Sequence, residues 1–291
     1  MLEKLNKFNI FSFNKENTLF SYIGIIFSSF VLLLLFLLVA YPLFWMIINS
    51  FKATREIYSN SWALPSNWLF SNYVEAWNMG VSKYFLNSTL VTISTVIITV
   101  SASALCAYGL ARFKFFGKKI ILAYIAAGLM FPPQVSLIPL YKMIQSIGIY
   151  DTHLALILPY TAFRISLIML LIRSFFIDIP KEIEESAYLD GCSRLGIFFR
   201  IFLPLSRPII VTSMVLIAYW AWNEFLFAIV FVDSDSVKTI TAGLLAFRDA
   251  LYTNWGVLMA GLVISTIPII MLFIFLQKYF VRGLAEGGIK G

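Results

Sequence analysis

An all-α, polytopic membrane fold with six spanning helices is the class this sequence predicts, and three observations predict it. Hydrophobic residues make up 60% of the 291 positions and charged residues 13%, with a mean hydropathy of +0.86, where a soluble domain carries about 25% charged residues. Four runs, 17–51, 84–111, 120–141 and 250–277, contain no Asp, Glu, Lys or Arg, and each exceeds the roughly 20 residues that cross hydrocarbon as a helix. Two further apolar stretches, 153–172 and 208–232, each hold one internal charge, Arg164 and Glu224.

In chain order, a basic tail (1–18) leads into span one, which ends near 42–49 with Tyr41 and Trp45 at interface depth. The next segment, 50–83, contains Trp62, Pro65, Trp68, Tyr73 and Trp77. It is too aromatic for a disordered linker, so short helices packed on the outer face are expected, with Ser71 or Asn72 as an N-cap. Span two (84–110) is rich in Ser, Thr and Ala, which let membrane helices approach closely, and is expected inside the bundle. Span three (120–141) contains Phe131, Pro132, Pro133 and Gln134. Consecutive prolines remove two donors and break the helix, either as a packing kink or as a lining of the solute path. Spans four (153–172), five (208–232) and six (255–278) complete the membrane domain, 19–282, before a tail over 283–291.

A net charge of +7 invites a nucleic-acid reading, but the basic residues are scattered through short connections and form no single face. Membrane topology accounts for them instead. With the N-terminus cytoplasmic, 15 of the 22 Lys and Arg lie inside and 6 outside, with Arg164 left in the bilayer; the bias places both termini in the cytoplasm. Run 17–51 is too long for a cleaved signal and stays as span one. Cys106 and Cys192 fall in a span and in a cytoplasmic loop on this topology, so no structural disulfide is expected. His153 is the only histidine, so no metal site is expected. There is no GxxxxGK[ST] loop and no clustered catalytic constellation, so no catalytic residue is expected in this chain.

The cytoplasmic segment 178–208 differs from its surroundings in charge density. Pro180 suits a first helical position, and Glu182, Glu184 and Glu185 crowd the turns where the helix dipole favours anions. A helix over 180–190 is predicted, ended by a left-handed Gly191. Ser193 then caps a second helix, 194–203, with Ile197 and Ile201 on one face, Phe198 and Phe202 on another, and Pro204 as its stop. Two short helices on a glycine turn make a compact knob under the membrane.

This loop resembles the signature of permease subunits of binding-protein-dependent ABC importers, written EAA, three residues, G, nine residues, I-x-L-P. Glu185, Ser186, Ala187, Gly191, Ile201, Leu203 and Pro204 match it at every spacing, with Ser186 in place of the second Ala. The resemblance implies that the loop is a coupling helix docking on a cytoplasmic ATPase, with Glu184 and Asp190 beside the motif residues. Tyr41-Pro42, Pro132 to Val135, Ile138 to Tyr141, Trp222 to Phe225 and the tail 283–291 are similar to the MalG-like carbohydrate subgroup. That subgroup usually has Asp where Glu224 stands. The likeness implies a tail that reaches the ATPase through Glu286, Gly287, Gly288 and Lys290, and a loop, 233–254, that meets an extracytoplasmic binding protein. It further implies a second six-span permease as partner, two ATPase copies that bind ATP and Mg, and a bacterial cytoplasmic membrane as location. No cofactor is implied for this chain itself.

Arg164, Gln134, Trp222, Asn223 and Glu224 are the candidate solute-path residues. A charge at mid-bilayer must face a polar cavity or a counter-charge, so Arg164 either binds an anionic sugar or bridges to Glu224 or to the partner permease. Trp222 either faces sugar or anchors at the interface. An ion-coupled secondary transporter also fits six spans with a broken helix, and an ABC permease for a non-sugar solute is a further alternative. The first of these leaves the knob without a purpose.

Overall fold

A computed structural model describes the backbone of residues 18–247 and 253–288, with side chains between 24 and 275 except at 246 and 248–252. Among the described residues, four helices are long and apolar enough to cross a bilayer, and lie within Gly24–Ser50, Ser71–Arg112, Leu154–Asp178 and Trp255–Phe275. Two bent pairs, Lys118–Met130 with Pro133–Ser146 and Arg194–Leu205 with Arg207–Asn223, raise the number to six when each counts as one crossing. Span two lies along span four, and span five packs against spans two, four and six. Small residues make that possible. Ser103, Ala104 and Ala107 are buried at the seam, and the Ser103 hydroxyl donates to the Ile165 carbonyl at 3.3 Å. Span one (Thr18–Ser50) packs mainly on span six. Only 6% of its apolar window is buried, which leaves it to lipid or another chain.

Several boundaries differ from expectation, each for a local reason. The outer segment does form short helices, Thr54–Ser59 and Ser71–Ala76. Neither Ser71 nor Asn72 caps the second one. Asn72 is buried within it, and its amide donates to the Ser50 and Lys52 carbonyls at 2.8 and 3.0 Å, serving acceptors that the end of span one leaves open. Ser71–Ala76 then continues into span two (Ser82–Arg112) through the turn Trp77–Val81, where Gly80 adopts φ 133°.

Span three breaks where the prolines stand, with a 91° bend between Met130 and Pro133. Span four, Leu154–Asp178, runs six residues past its expected end and leads directly to the knob. The run expected as span five is Arg207–Asn223 and Leu226–Phe231, parted at Glu224 and Phe225 without proline or glycine. Span six extends unbroken as Trp255–Gly288. Of the tail residues, Glu286, Gly287 and Gly288 have backbone only, and Lys290, like the tail 1–17, lies outside the described residues.

At the end of the bundle away from the knob, the loop after span three is latched to the loop after span five. Asp151, at φ 57°, accepts from the Asp233 and Ser234 amides, both at 2.9 Å, and from the Ser234 hydroxyl. The Ser234 hydroxyl is the main cause that holds the Asp151 carboxyl below its usual value. Tyr150 donates to Asp233 at 2.7 Å.

Candidate functional site

Two places gather the residues singled out in the sequence. The first is the knob. After extended Ile179 and Pro180, the first helix runs Lys181–Leu189 with Glu182 and Glu184 in its opening turn. Gly191 ends it at φ +80°. Its amide donates to the Tyr188 carbonyl and that of Cys192 to the Ala187 carbonyl, both at 3.0 Å, which is the Schellman pairing that satisfies the last open carbonyls. A Cβ at 191 would meet nothing within 4 Å, so backbone conformation rather than space selects glycine there. The Ser193 hydroxyl accepts from the Gly196 amide at 3.1 Å, as expected of the cap.

The second knob helix passes through a wide turn, Phe198–Phe202, and continues past Pro204 to Leu205, so Pro204 is not its stop. Pro204 opens the last turn, Leu203–Leu205, where the lack of an N–H costs little. Ile197, Phe198 and Phe202 do not split into two faces of different fate; all three are buried in one cluster with Tyr108 and Phe176. Tyr108 and Phe176 meet the Phe202 ring at 4.9 and 5.2 Å between centroids.

Arg112, at the end of span two, ties the knob to the bundle. It donates to the Phe176 carbonyl at 2.8 Å and to the Ile179 carbonyl. It also pairs with Glu184 at 3.5 Å and lies over the Phe202 ring at 4.8 Å. Glu184 is therefore turned inward, and Ala187 is buried against the chain's own core. Glu185, Ser186, Tyr188, Leu189, Asp190 and Gly191 face outward, with Leu189 90% exposed. Ile201 and Leu203 are half-buried against the cluster and Pro204 is exposed. In the sequence Arg112 stands out only as one of the inside charges. A lone arginine at the junction of an apolar span and a short connection was the available signal.

The second place is a cavity of about 400 Å³ where the break in span three and the break in span five converge beside span four. Gln134, Arg164, Asn223 and Glu224 all line it. Trp222 does not. It lies on the other side of span five, edge-on to Phe85 at 5.4 Å, with its Nε1 donating to the Ser265 carbonyl at 3.0 Å. There it lines a larger apolar hollow of about 820 Å³ between spans one, five and six.

Glu224 explains the second break. Its carboxylate accepts from the Phe227 and Ala228 amides at 2.9 and 3.2 Å, capping Leu226–Phe231, and from the buried Tyr160 hydroxyl. An acidic residue beside Asn223 in an apolar run was a cap signal. Arg164 forms no ion pair with Glu224. Its guanidinium lies over Trp220, 3.9 Å from the ring centroid, while its buried Nε has no hydrogen-bond partner among the described residues. A cation–π contact is worth about 0.5–2 kcal/mol. A charge held at membrane depth costs about 2.5–3.5 kcal/mol or more, so Trp220 alone does not offset it.

Such a bundle, with helices broken at membrane depth around a polar cavity and a self-anchored knob at one end, defines a solute permease. The family described as "Binding-protein-dependent transport system inner membrane component" matches residues 99–286, and the chain belongs to that family. It is 58% identical over 265 residues to the probable ABC transporter permease protein YurM of Bacillus subtilis, covering 91% of this chain and 88% of that protein. With the diacetylchitobiose uptake system permease protein NgcG of Streptomyces coelicolor it shares 33% identity, over 88% of this chain and 86% of the relative. Among solved structures, a bacterial ABC transporter involved in import of the acidic polysaccharide alginate superposes with a TM-score of 0.76. That match is at 20% identity, over 92% of this chain and 99% of the other, and speaks to the fold.

Proposed function

We propose that this chain is the permease subunit of an ABC importer for a carbohydrate, with its knob in the cytoplasm and docked on an ATPase. The observation that carries the reading is the knob's construction. Arg112, Glu184 and Ala187 fasten it to the ends of spans two and four, so force on the knob reaches span four, which borders the cavity. Its outward residues, Glu185, Tyr188, Leu189 and Asp190, form an apolar and acidic tip. A nucleotide shifts a transporter between states only by binding one of them better, and a stiff knob lets that preference act on the membrane helices.

On this reading two ATPase copies bind ATP and Mg, a second six-span permease completes the path, and both termini are cytoplasmic. Residues 283–291 reach the ATPase. An extracytoplasmic binding protein meets the latched loops at the opposite end, within 233–254. A saccharide cargo is supported by the relative named for diacetylchitobiose uptake.

Leu189→Asp tests the docking, because so exposed a residue contributes little to folding. The variant is expected in the membrane at normal abundance but without co-purifying ATPase and without ATP-driven uptake. Normal assembly and uptake would sink the reading. Uptake that survives ATP depletion under a maintained ion gradient would favour an ion-coupled transporter instead. A screen of saccharides with candidate binding proteins, read as stimulated ATP hydrolysis, identifies the cargo.

A further inference from the structure

We infer that the cavity at the two helix breaks is a subsite for the anionic group of the solute, a uronate-type carboxylate, with Arg164 as its ligand. The inference rests on the carbohydrate reading above for the rest of the cargo, but not for the charge. Three observations carry it. Among the described residues no hydrogen bond or ion pair reaches the Arg164 guanidinium, which has only the Trp220 ring beneath it. The one acidic side chain on the cavity, Glu224, turns its carboxylate to the Tyr160 hydroxyl and the Phe227 and Ala228 amides, holding the helix break open, and forms no ion pair with Arg164. The space beside them, about 400 Å³, is bordered by Gln134, Asn223, Tyr219 and Phe225, amides and rings of the kind that flank a pyranose.

A guanidinium offers a planar fork that a carboxylate meets with two parallel hydrogen bonds. Contact with the Trp220 ring, 3.9 Å from its centroid, restrains the guanidinium before any ligand arrives, which lowers the ordering cost of binding. A hydroxyl can accept one of these bonds but brings no counter-charge. Gln134 and Glu224 both lie at helix breaks. A rearrangement of either break would therefore reshape the subsite, which is what alternating access requires of a binding place at mid-membrane.

The test is calorimetric titration of the assembled importer in lipid nanodiscs, without binding protein, using D-glucuronate, its neutral methyl ester, D-glucose and glutarate. Glucuronate is expected to bind more tightly than its ester or glucose, and Arg164→Gln to weaken glucuronate by roughly ten- to hundredfold. The effect on glucose is expected to be small. Equal binding of glucuronate and its ester by the unaltered protein would overturn the inference without needing the variant to fold. So would unchanged glucuronate binding by Arg164→Gln. Absence of glucuronate binding would also overturn it, and would leave Arg164 as the counter-charge of an acidic residue on the partner permease. Glutarate binding as tightly as glucuronate would uphold the anion subsite and sink the carbohydrate reading.

Discussion

The knob and the cavity treat their charged residues in opposite ways. At the knob, Arg112 has two carbonyls, a carboxylate and an aromatic face. In the cavity, Arg164 has an aromatic face and, among the described residues, no hydrogen bond or ion pair. Both are arginines among apolar helices, so the difference is one of purpose. An arginine bound to two carbonyls and a carboxylate holds two elements in one geometry, whereas one without such partners stores binding capacity for something that comes and goes. The contrast also locates stiffness. The knob must move as a body, and the cavity must change shape.

The largest expected effect breaks this comparison directly. Arg112→Met leaves half-buried Glu184 without its partner and two carbonyls without their donor, and is expected to cost about 2–4 kcal/mol. Arg164→Met removes an unpaired charge and is expected to leave stability unchanged or raised. Thermal unfolding of the two variants side by side decides it, and equal losses would erase the distinction. Tyr160→Phe tests the cavity wall. It removes a donor from Glu224 and is expected to cost about 1–3 kcal/mol, with increased hydrogen exchange over Leu226–Phe231.

Gly191→Ala forces a Cβ into the left-handed region and is expected to cost about 1–2 kcal/mol, together with weaker ATPase co-purification. Gly191→Asn, which tolerates that conformation, is expected to cost less. The smallest effect belongs to the latch at the opposite end. The Asp151 carboxyl lies below its ordinary value in the folded chain. Its contribution is therefore present above the unfolded pKa and is lost as pH falls through the folded one. Exchange protection of 233–238, corrected for intrinsic rates, is expected to drop as pH falls below about 4. Asp151→Asn, which also suits φ 57°, should show no such step.

How far each region was legible depended on whether its cause is local. Gly191, Ser193 and the proline pair act through their own backbone and near neighbours, and the turn, the cap and the 91° bend stand where they were read. The break at Glu224 is equally local, its carboxylate accepting from amides three and four residues ahead, but it is masked by a run whose hydropathy suggests one unbroken span. Arg112 was missed as a clasp because its acceptors, Phe176, Ile179 and Glu184, lie more than sixty residues away along the chain.

Composition and spacing by themselves determined a helical membrane protein, the positions of its six apolar runs and the knob with its motif. Those properties follow from the burial cost of polar groups and from short-range backbone rules, which are written residue by residue. Only the tertiary structure decided that Glu184 and Ala187 face inward, that Trp222 packs away from the cavity, and that Gln134, Arg164, Asn223 and Glu224 share one space. A helix face is chosen by what packs against it, and two breaks meet only when the whole bundle has closed around them.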